Sequence, residues 1–576
     1  MLKLLLYLLS CFGYVECLRR WTKVSVYYLP GLTIALQTSL LFLAGLCGQL
    51  ARMTYLLFFV GLLGLGYGCV RAIQNRNAAF LGGYLDSGYI SFAVIIAVMA
   101  VFVRGKVFTH YDNFNHWAVI IRTMLTYDRF PNAADTLIRY RTYPPGSAVY
   151  LYYFGRLVSE GEAWLMLAQI IMMTAAILPL FSLAKRHKPV IAVLVIGLTH
   201  FFFTYNVLVN NLLVDTLLPL VGMSALLYLW EYGRTIRSWP ALFLSAVYLI
   251  QIVLIKNSGL FFAAAAVVCL IIGARRDHRY AARLPVVVLP LLSNRLWSLH
   301  CAHTFADASS SAHTMSLDYY ASVLSQKSGA DILQISRLFL KTLITDKSLW
   351  FLAGMFVAVG ALIGFLNRRA LPLWKKTALA AGLLAAGYEI GLLGMYLFSM
   401  PLEEAVNLAS YGRYSRSLII ALVYLLMVPV IKAVADDGFS LPKAWAVSAV
   451  ILLMTGGLSL VTFGTVRYIT QPSLYHDPTS EKRYWLDRVI ADYQVPAGST
   501  YCVLKKYPSV YYRNLGRYLY QTTAFDDALI ENEEQLDELE ARYLFVEDGE
   551  NPVIQAWIEK NYPDQAGREV IICDER

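Results

Sequence analysis

The chain is short of charge. Of its 576 residues only 15% are Asp, Glu, Lys or Arg, while 58% are hydrophobic. A soluble protein carries about 25% charged residues, because apolar side chains cannot by themselves cover a water-facing surface. A soluble enzyme is thereby excluded. The net charge of +10 is explained by loop topology, as shown next, and no nucleic-acid partner is expected. The eight cysteines include no Cys-x-x-Cys pair, which leaves no dithiol redox motif. Internal repeats, low-complexity tracts and a recognisable nucleotide-sugar motif are missing too.

Long apolar runs are what the chain has in quantity. They recur from the N-terminus to about Phe463, and about 20 helical residues cross a hydrocarbon core. Backbone groups in lipid must bond within their own segment, so the runs are helices. Up to fourteen spans can be placed, near 2–17, 25–46, 54–70, 88–104, 163–184, 190–205, 207–230, 239–256, 258–274, 284–300, 350–367, 377–398, 417–434 and 445–467. The expected fold class is a polytopic α-helical membrane protein of 13–14 spans with a small C-terminal α/β domain. Residues 1–17 read as a short first span, since Arg19-Arg20 is a poor cleavage context for a leader.

Four short loops are basic: Arg19, Arg20 and Lys23; Lys185, Arg186 and Lys188; Arg275, Arg276, Arg279 and Arg283; Arg368, Arg369, Lys375 and Lys376. In the fourteen-span count all four share one side, which the positive-inside rule makes cytoplasmic. Loops 105–162, 301–349 and 399–416 and the tail after 468 then lie outside. Three regions follow: additional transmembrane helices in 1–87, a transmembrane catalytic core in 88–467 with its outer loop 105–162, and an external α/β domain in 468–576. In that domain Ser480–Tyr493 and Asn551–Tyr562 read as helices, and Thr500–Leu504, Tyr518–Gln521, Arg542–Val546 and Val570–Cys573 as strands. Cys502 and Cys573 are either bridged or two buried thiols. Tyr507, Tyr511, Tyr512, Tyr518 and Tyr520 suit sugar stacking or a small aromatic core equally.

Polar residues inside so apolar a chain are functional candidates. The first group is Val107–Trp117, with Asp112, His110 and His116, followed by Arg139, Arg141 and Tyr143-Pro-Pro-Gly146. Two fixed φ angles at Pro144-Pro145 force an extended approach that Gly146 releases into a helix; this is either a plain helix-entry turn or one that aims Arg139, Arg141 and Tyr143 at a cavity. Asp112, Phe114, His116 and Trp117 fit a short interfacial amphipathic helix on which Asp112 and His116, four apart, share a face. Asp112 can act as a general base for a hydroxyl, with His116 as orienter or hydrogen-bond donor. His110, Asp112 and His116 leave a divalent metal open, although their spacing matches no recognised site; no cofactor is expected.

A second group lies near the late spans: Glu403, Glu404, Arg413 and Arg416. The planar arginine fork suits a phosphate, so Arg413 and then Arg416 are phosphate candidates, and interfacial snorkelling is the alternative. Lys256, at a span end in a near-loopless turn, is another. Asp215 is read as lying two turns inside a span, paired with Lys256 or bonded to sugar hydroxyls. Loop 301–349, with His303, Asp307, His313 and Asp318, has the length of a lid.

Tyr111-Asp-Asn-Phe-Asn-His-Trp117 with Tyr143-Pro-Pro-Gly146 resembles bacterial members of the GT-C superfamily of membrane glycosyltransferases, whose loop reads Asp-Glu-Phe-x-His-Trp and then Tyr-Pro-Pro-Gly. The architecture is related to that of the protein mannosyltransferase and aminoarabinose transferase families. The residue match is confined to these two motifs and the later Arg413-Tyr414 element, while the architectural likeness covers about 88–467. The resemblance implies a polyprenyl-phosphate-linked sugar as donor and the loop acid, here Asp112, at the reaction centre. Asn113 stands where the second acid is expected, which argues against a metal held by an acidic pair.

The expected function is therefore sugar transfer from a polyprenyl-phosphate donor to a glycan, lipid or protein acceptor at the outer face of a bacterial cell membrane. Asp112 serves as base, and Arg413, Arg416, Lys256, Arg141, Tyr143, Glu404 and Asp215 bind the donor. The competing classes are a transporter or flippase of lipid-linked cargo, and a polymerase or ligase of lipid-linked glycans. Transporters usually show related halves, and none is visible in this chain.

Overall fold

The computed structural model describes residues 2–74, 84–233, 238–305, 317–466 and 478–573. Helices α1 (Leu2–Thr22), α2 (Leu29–Leu46), α3 (Leu50–Gln74) and α4 (Ser87–Val103) come first. A loop holding α5 (Ala118–Tyr127) leads into α6 (Gly146–Leu157), α7 (Glu162–Ile177), α8 (Lys188–Tyr205) and α9 (Leu217–Tyr228). Then follow α10 (Trp239–Ile255), α11 (Gly259–Asp277), α12 (Tyr280–Thr304), α13 (Leu317–Ser325) and α14 (Gly329–Thr345). The bundle ends with α15 (Lys347–Leu366), α16 (Leu371–Phe398), the single turn α17 (Leu402–Ala405), α18 (Tyr411–Val434) and α19 (Leu441–Phe463).

Among the described residues nine helical stretches are long and apolar enough to cross a membrane, and three shorter apolar ones accompany them. The shorter three contain α4, α9 and α10, and α1 and α12 occupy the two remaining predicted positions. Burial sorts these helices. The most apolar windows of the stretches containing α7 and α18 are 94% and 89% buried by their neighbours, whereas those containing α3 and α16 are only 17% buried. A helix apolar on every side belongs in a core or against hydrocarbon, so α7 and α18 make the core and α3 and α16 present a surface suited to lipid.

The four basic loops meet at one end of the bundle. Ser25 N–H donates to Tyr232, Arg283 to the Gly233 carbonyl, Lys188 to Asp86, Arg186 to the Asp437 carbonyl and Asn367 to the Ala433 carbonyl. Lys188 also donates to Tyr27, so these bonds join all four loops at one end of the bundle.

The opposite end is built by two close backbone approaches. A Cβ on Gly146 would lie 2.6 Å from the Leu254 carbonyl oxygen, so only glycine lets the start of α6 meet the end of α10. A Cβ on Gly259 would fall 2.2 Å from the Ile252 oxygen, which explains how α10 turns into α11 within three residues and leaves Lys256 at the bend.

The C-terminal domain contains α20 (Pro478–Asp492), β1 (Tyr501–Leu504), α21 (Tyr511–Tyr520), β2 (Phe525–Ala528), α22 (Glu533–Asp537), β3 (Tyr543–Val546), α23 (Pro552–Asn561) and β4 (Val570–Ile572). The sheet order is β2-β1-β3-β4, with β1 parallel to β2 and β3, and β4 antiparallel to β3. The strand expected at Tyr518–Gln521 is instead the end of α21: Tyr511, Tyr512, Leu515 and Tyr518 are all buried at helical spacing. β2, whose Phe525 and Asp527 point inward, had no counterpart in the sequence reading. Cys502 and Cys573 are not bridged, because β3 lies between their strands.

Candidate functional site

At the glycine-built end, residues 206–216 are irregular rather than helical, and α9 starts only at Leu217. Asp215 is therefore not two turns inside a span, as its apolar surroundings suggested. Polar side chains hold the irregular backbone instead. Gln169 donates to the carbonyls of Asn211 and Leu213, and Leu212 N–H donates to Asn113 Oδ1. Asn206 Nδ2 donates to the Arg413 carbonyl and to Ser417, and the Ser417 hydroxyl donates to the Asp215 carbonyl. An apolar count cannot register such bonds.

These links bring four predicted residues into one chain of charge. Arg413 Nη1 lies 3.0 Å from Asp112 Oδ2, Arg413 Nε lies 3.7 Å from Asp215 Oδ2, and Lys256 Nζ lies 3.1 Å from Asp215 Oδ1. The ring of Tyr414 stands under both cations, 5.3 Å from Lys256 Nζ and 5.5 Å from the Arg413 guanidinium carbon. Burial by itself would raise the Asp215 carboxyl, but Lys256 and Arg413 outweigh it and hold the group below its usual range. The Lys256–Asp215 pair anticipated from sequence is formed. Tyr414, which supports both cations, belongs to the Arg413-Tyr414 element of the sequence, where it carries no role of its own.

Around Asp112 the expectation fails. Residues Asn113–Trp117 form a π turn, closed by Ala118 N–H to the Asn113 carbonyl, and all five are buried. A π turn bonds i to i+5, so the four-residue spacing no longer puts His116 on the face of Asp112. Asp112 N–H bonds His110 Nδ1 instead, at 3.2 Å. His116 is enclosed by Trp117, Tyr140 and Tyr143, with ring centroids at 4.6, 5.5 and 5.2 Å. Burial, with a smaller contribution from Lys256, pushes its pKa down to about 3, so it is neutral and fills space. Nor is the turn an interfacial helix: Phe114 packs on Tyr511 and Tyr518 of α21.

Asp215 and Lys256 of the charge chain lie at the polar end of a cavity of about 630 Å³, to which Arg413 joins through Asp215 and Asp112 through Arg413. Tyr143, Asp215, Lys256, Tyr414 and Ser417 line that end, and Phe261 and Phe262 of α11 face Tyr388, Gly391, Leu392 and Met395 of α16 along its apolar length. The volume is that of a small-molecule site. Arg141 does not reach it, since its guanidinium lies over Phe305 and donates to the Ile138 carbonyl. Arg416 turns toward α19, over the ring of Phe463. Glu404 does not line the cavity and lies within electrostatic reach of Tyr140.

In the expected lid, Tyr320 of α13 reaches the cavity. Lys327 ties the segment down by donating to the carbonyls of Tyr396, Leu397 and Met400 at the end of α16. His303 and Asp318 are exposed, and Asp307 and His313 fall outside the described residues. Among the described residues no three His, Cys, Asp or Glu side chains gather as a metal-ligand set. Of the tyrosines offered for sugar stacking, Tyr511, Tyr512 and Tyr518 are buried, Tyr520 stacks on Tyr501, and Tyr507 is open to solvent. Compared with known families, curated proteins and solved structures, the chain matches none.

Proposed function

We propose that this chain is a multi-pass GT-C-type glycosyltransferase that moves a sugar from a polyprenyl-phosphate donor to a hydroxyl acceptor at the outer face of a bacterial cell membrane. One observation carries the reading. Lys256 and Asp215 stand at the polar end of an otherwise apolar cavity and pair onward through Arg413 to a carboxylate, Asp112, on the loop whose motif resembles that superfamily. A phosphate with an apolar tail matches such a cavity: the headgroup meets the cations and the tail lies between α11 and α16.

The chemistry follows from these positions. The acceptor oxygen forms a bond to the anomeric carbon as the carbon–oxygen bond to phosphate breaks, and the phosphate leaves with the electron pair. Asp112 takes the acceptor's proton. Arg413 and Lys256 stabilise the charge that grows on the leaving phosphate. Attack from the face opposite the phosphate inverts the anomeric centre. The acceptor is a glycan, lipid or protein hydroxyl.

Reconstituted protein supplied with a panel of polyprenyl-phosphate sugars tests the reading. Release of polyprenyl phosphate with transfer of the sugar is expected for at least one donor. Movement of donor lipid between leaflets with no transfer would replace the reading by that of a transporter.

A further inference from the structure

The charge chain is complete before any ligand arrives. Two carboxylates answer two cations, and the acid proposed as base is held by the arginine proposed to hold phosphate. Arg413 holds Asp112 through Oδ2 and Asp112 is only 8% exposed, so an acceptor hydroxyl meets a carboxylate already engaged by a cation. Among the described residues the other groups facing Asp112 are His110, whose Nδ1 lies 3.9 Å from Oδ2, and Tyr111, whose hydroxyl hydrogen-bonds the carboxylate, while Arg139 stands within electrostatic reach of Tyr111.

The two acids are not held alike. Asp215 has Lys256 at 3.1 Å in addition to Arg413 and is the more deeply buried side chain. Among the described residues Arg413 is the one arginine or lysine paired with Asp112, beside the hydroxyl of Tyr111. The guanidinium is not fully committed: its Nε makes no hydrogen bond, and the side chain is 24% exposed. An incoming phosphate offers it two parallel charge-assisted bonds in place of the single one to Asp112, and the added negative charge weakens the pull of both cations on Asp112.

We propose that Arg413 masks Asp112 until an anionic phosphate takes the guanidinium, so that binding the phosphate and freeing the carboxylate are one event. Resting on the transferase reading, this makes the donor bind before the acceptor. A base that is open only when the donor is seated also keeps the site from activating water on the empty enzyme.

The test needs no acceptor. Full-length reconstituted protein is treated with a carbodiimide and an amine, and modification of Asp112 is read by peptide mass spectrometry. It is run with no addition, with polyprenyl monophosphate, with uncharged polyprenol and with inorganic phosphate. Exposed Glu403 serves as the internal reference. Asp112 in the wild type is expected to be protected alone and modified several-fold more with polyprenyl monophosphate. Arg413→Gln is expected to be modified at the high level with or without lipid, and Arg413→Lys to restore lipid dependence.

An increase with inorganic phosphate also supports the exchange and assigns it to the headgroup. An equal increase with polyprenol overturns it, because tail binding rather than the anion would be the cause. Unchanged modification under saturating polyprenyl monophosphate, or wild-type protection in Arg413→Gln, overturns it as well. Failure of the transferase reading leaves a different trace: no sugar moves from any donor, yet the phosphate lipid still unmasks Asp112.

Discussion

Two networks of buried charge sit at the same end of the molecule, and their difference separates structure from function. One joins Glu162 at the start of α7 to the C-terminal domain. Glu162 accepts from Phe108 N–H at 2.5 Å, from Tyr518 at 3.0 Å and from Arg483 at 3.3 Å. Arg483 also reaches Asp487 at 2.7 Å and lies over the ring of Phe114. Arg122 and Tyr511 add bonds to the carbonyls of Tyr518 and Thr109. The other network is Asp112–Arg413–Asp215–Lys256, where Arg413 Nε makes no hydrogen bond and one contact is stretched to 3.7 Å. The first network satisfies its groups against protein on all sides. The second keeps donor capacity in reserve and borders a cavity. A buried ion pair is by itself weak evidence of anything; a buried cation short of a hydrogen-bond partner, joined to an ion pair that lines a cavity, is what points to a ligand.

The sharpest way to break the comparison is to remove one acid from each network. Asp112→Asn keeps the shape and abolishes the base. Transfer is expected to fall ~10²–10⁴-fold, while donor binding persists and the thermal midpoint is preserved. A variant that transfers at the wild-type rate would remove Asp112 from the chemistry and shift attention to Glu403, Glu404 or Asp215. Glu162→Ala is expected to do the converse. Leaving Arg483, Tyr518 and the Phe108 N–H short of a partner costs about 3 kcal/mol, read as earlier thermal unfolding and faster proteolytic release of the C-terminal domain. If Glu162→Ala instead abolished donor binding and left stability intact, the division between the two networks would fail.

The cavity wall gives a smaller effect. A Cβ on Gly391 meets no atom within 4 Å, so Gly391→Leu is tolerated by the fold and projects into the space between α11 and α16. Lost apolar contact with a lipid tail is on the order of 1–2 kcal/mol, about a ten-fold rise in donor KM, with kcat little changed. A fall in kcat at constant KM would mean that the tail lies elsewhere.

Helix positions and the shared side of the basic loops could be read from the sequence, because both depend on composition over about 20 residues. The apolar runs of α7 and α18 needed no partner to be recognised. Residues 206–216 read as helix because the bonds that hold them otherwise come from far away in the chain: Asn206 reaches Arg413 and Ser417, and Gln169 and Asn113 reach the backbone of 211–213. Site members could be picked as charges stranded in apolar surroundings, as with Asp215 and Lys256, 41 residues apart. Their partnership with Asp112 could not, since Arg413 lies 301 positions on and no local spacing encodes that contact. The face of His116 was lost for a different reason: an inserted π-turn residue rotates everything after it, and the sequence pattern assumes 3.6 residues per turn.

That rotation has its own test, with the smallest effect expected. His116 titrates at about 3 in the folded protein because burial penalises its charged form, against about 6.5 when unfolded. The unfolded chain therefore binds the extra proton between these values. The stability that neutral His116 contributes is complete above about pH 6.5 and is lost as pH falls toward 3. His116→Phe fills the aromatic enclosure of Trp117, Tyr140 and Tyr143 without a titrating group. The variant is expected to lose less stability than wild type between pH 6.5 and 4.5, read as a flatter plot of thermal midpoint against pH. Any limb of a transfer pH profile near 6 to 7 should be unmoved by the substitution. A shifted limb would put His116 back beside Asp112 as a participant, and the π turn would then have to open in the working protein.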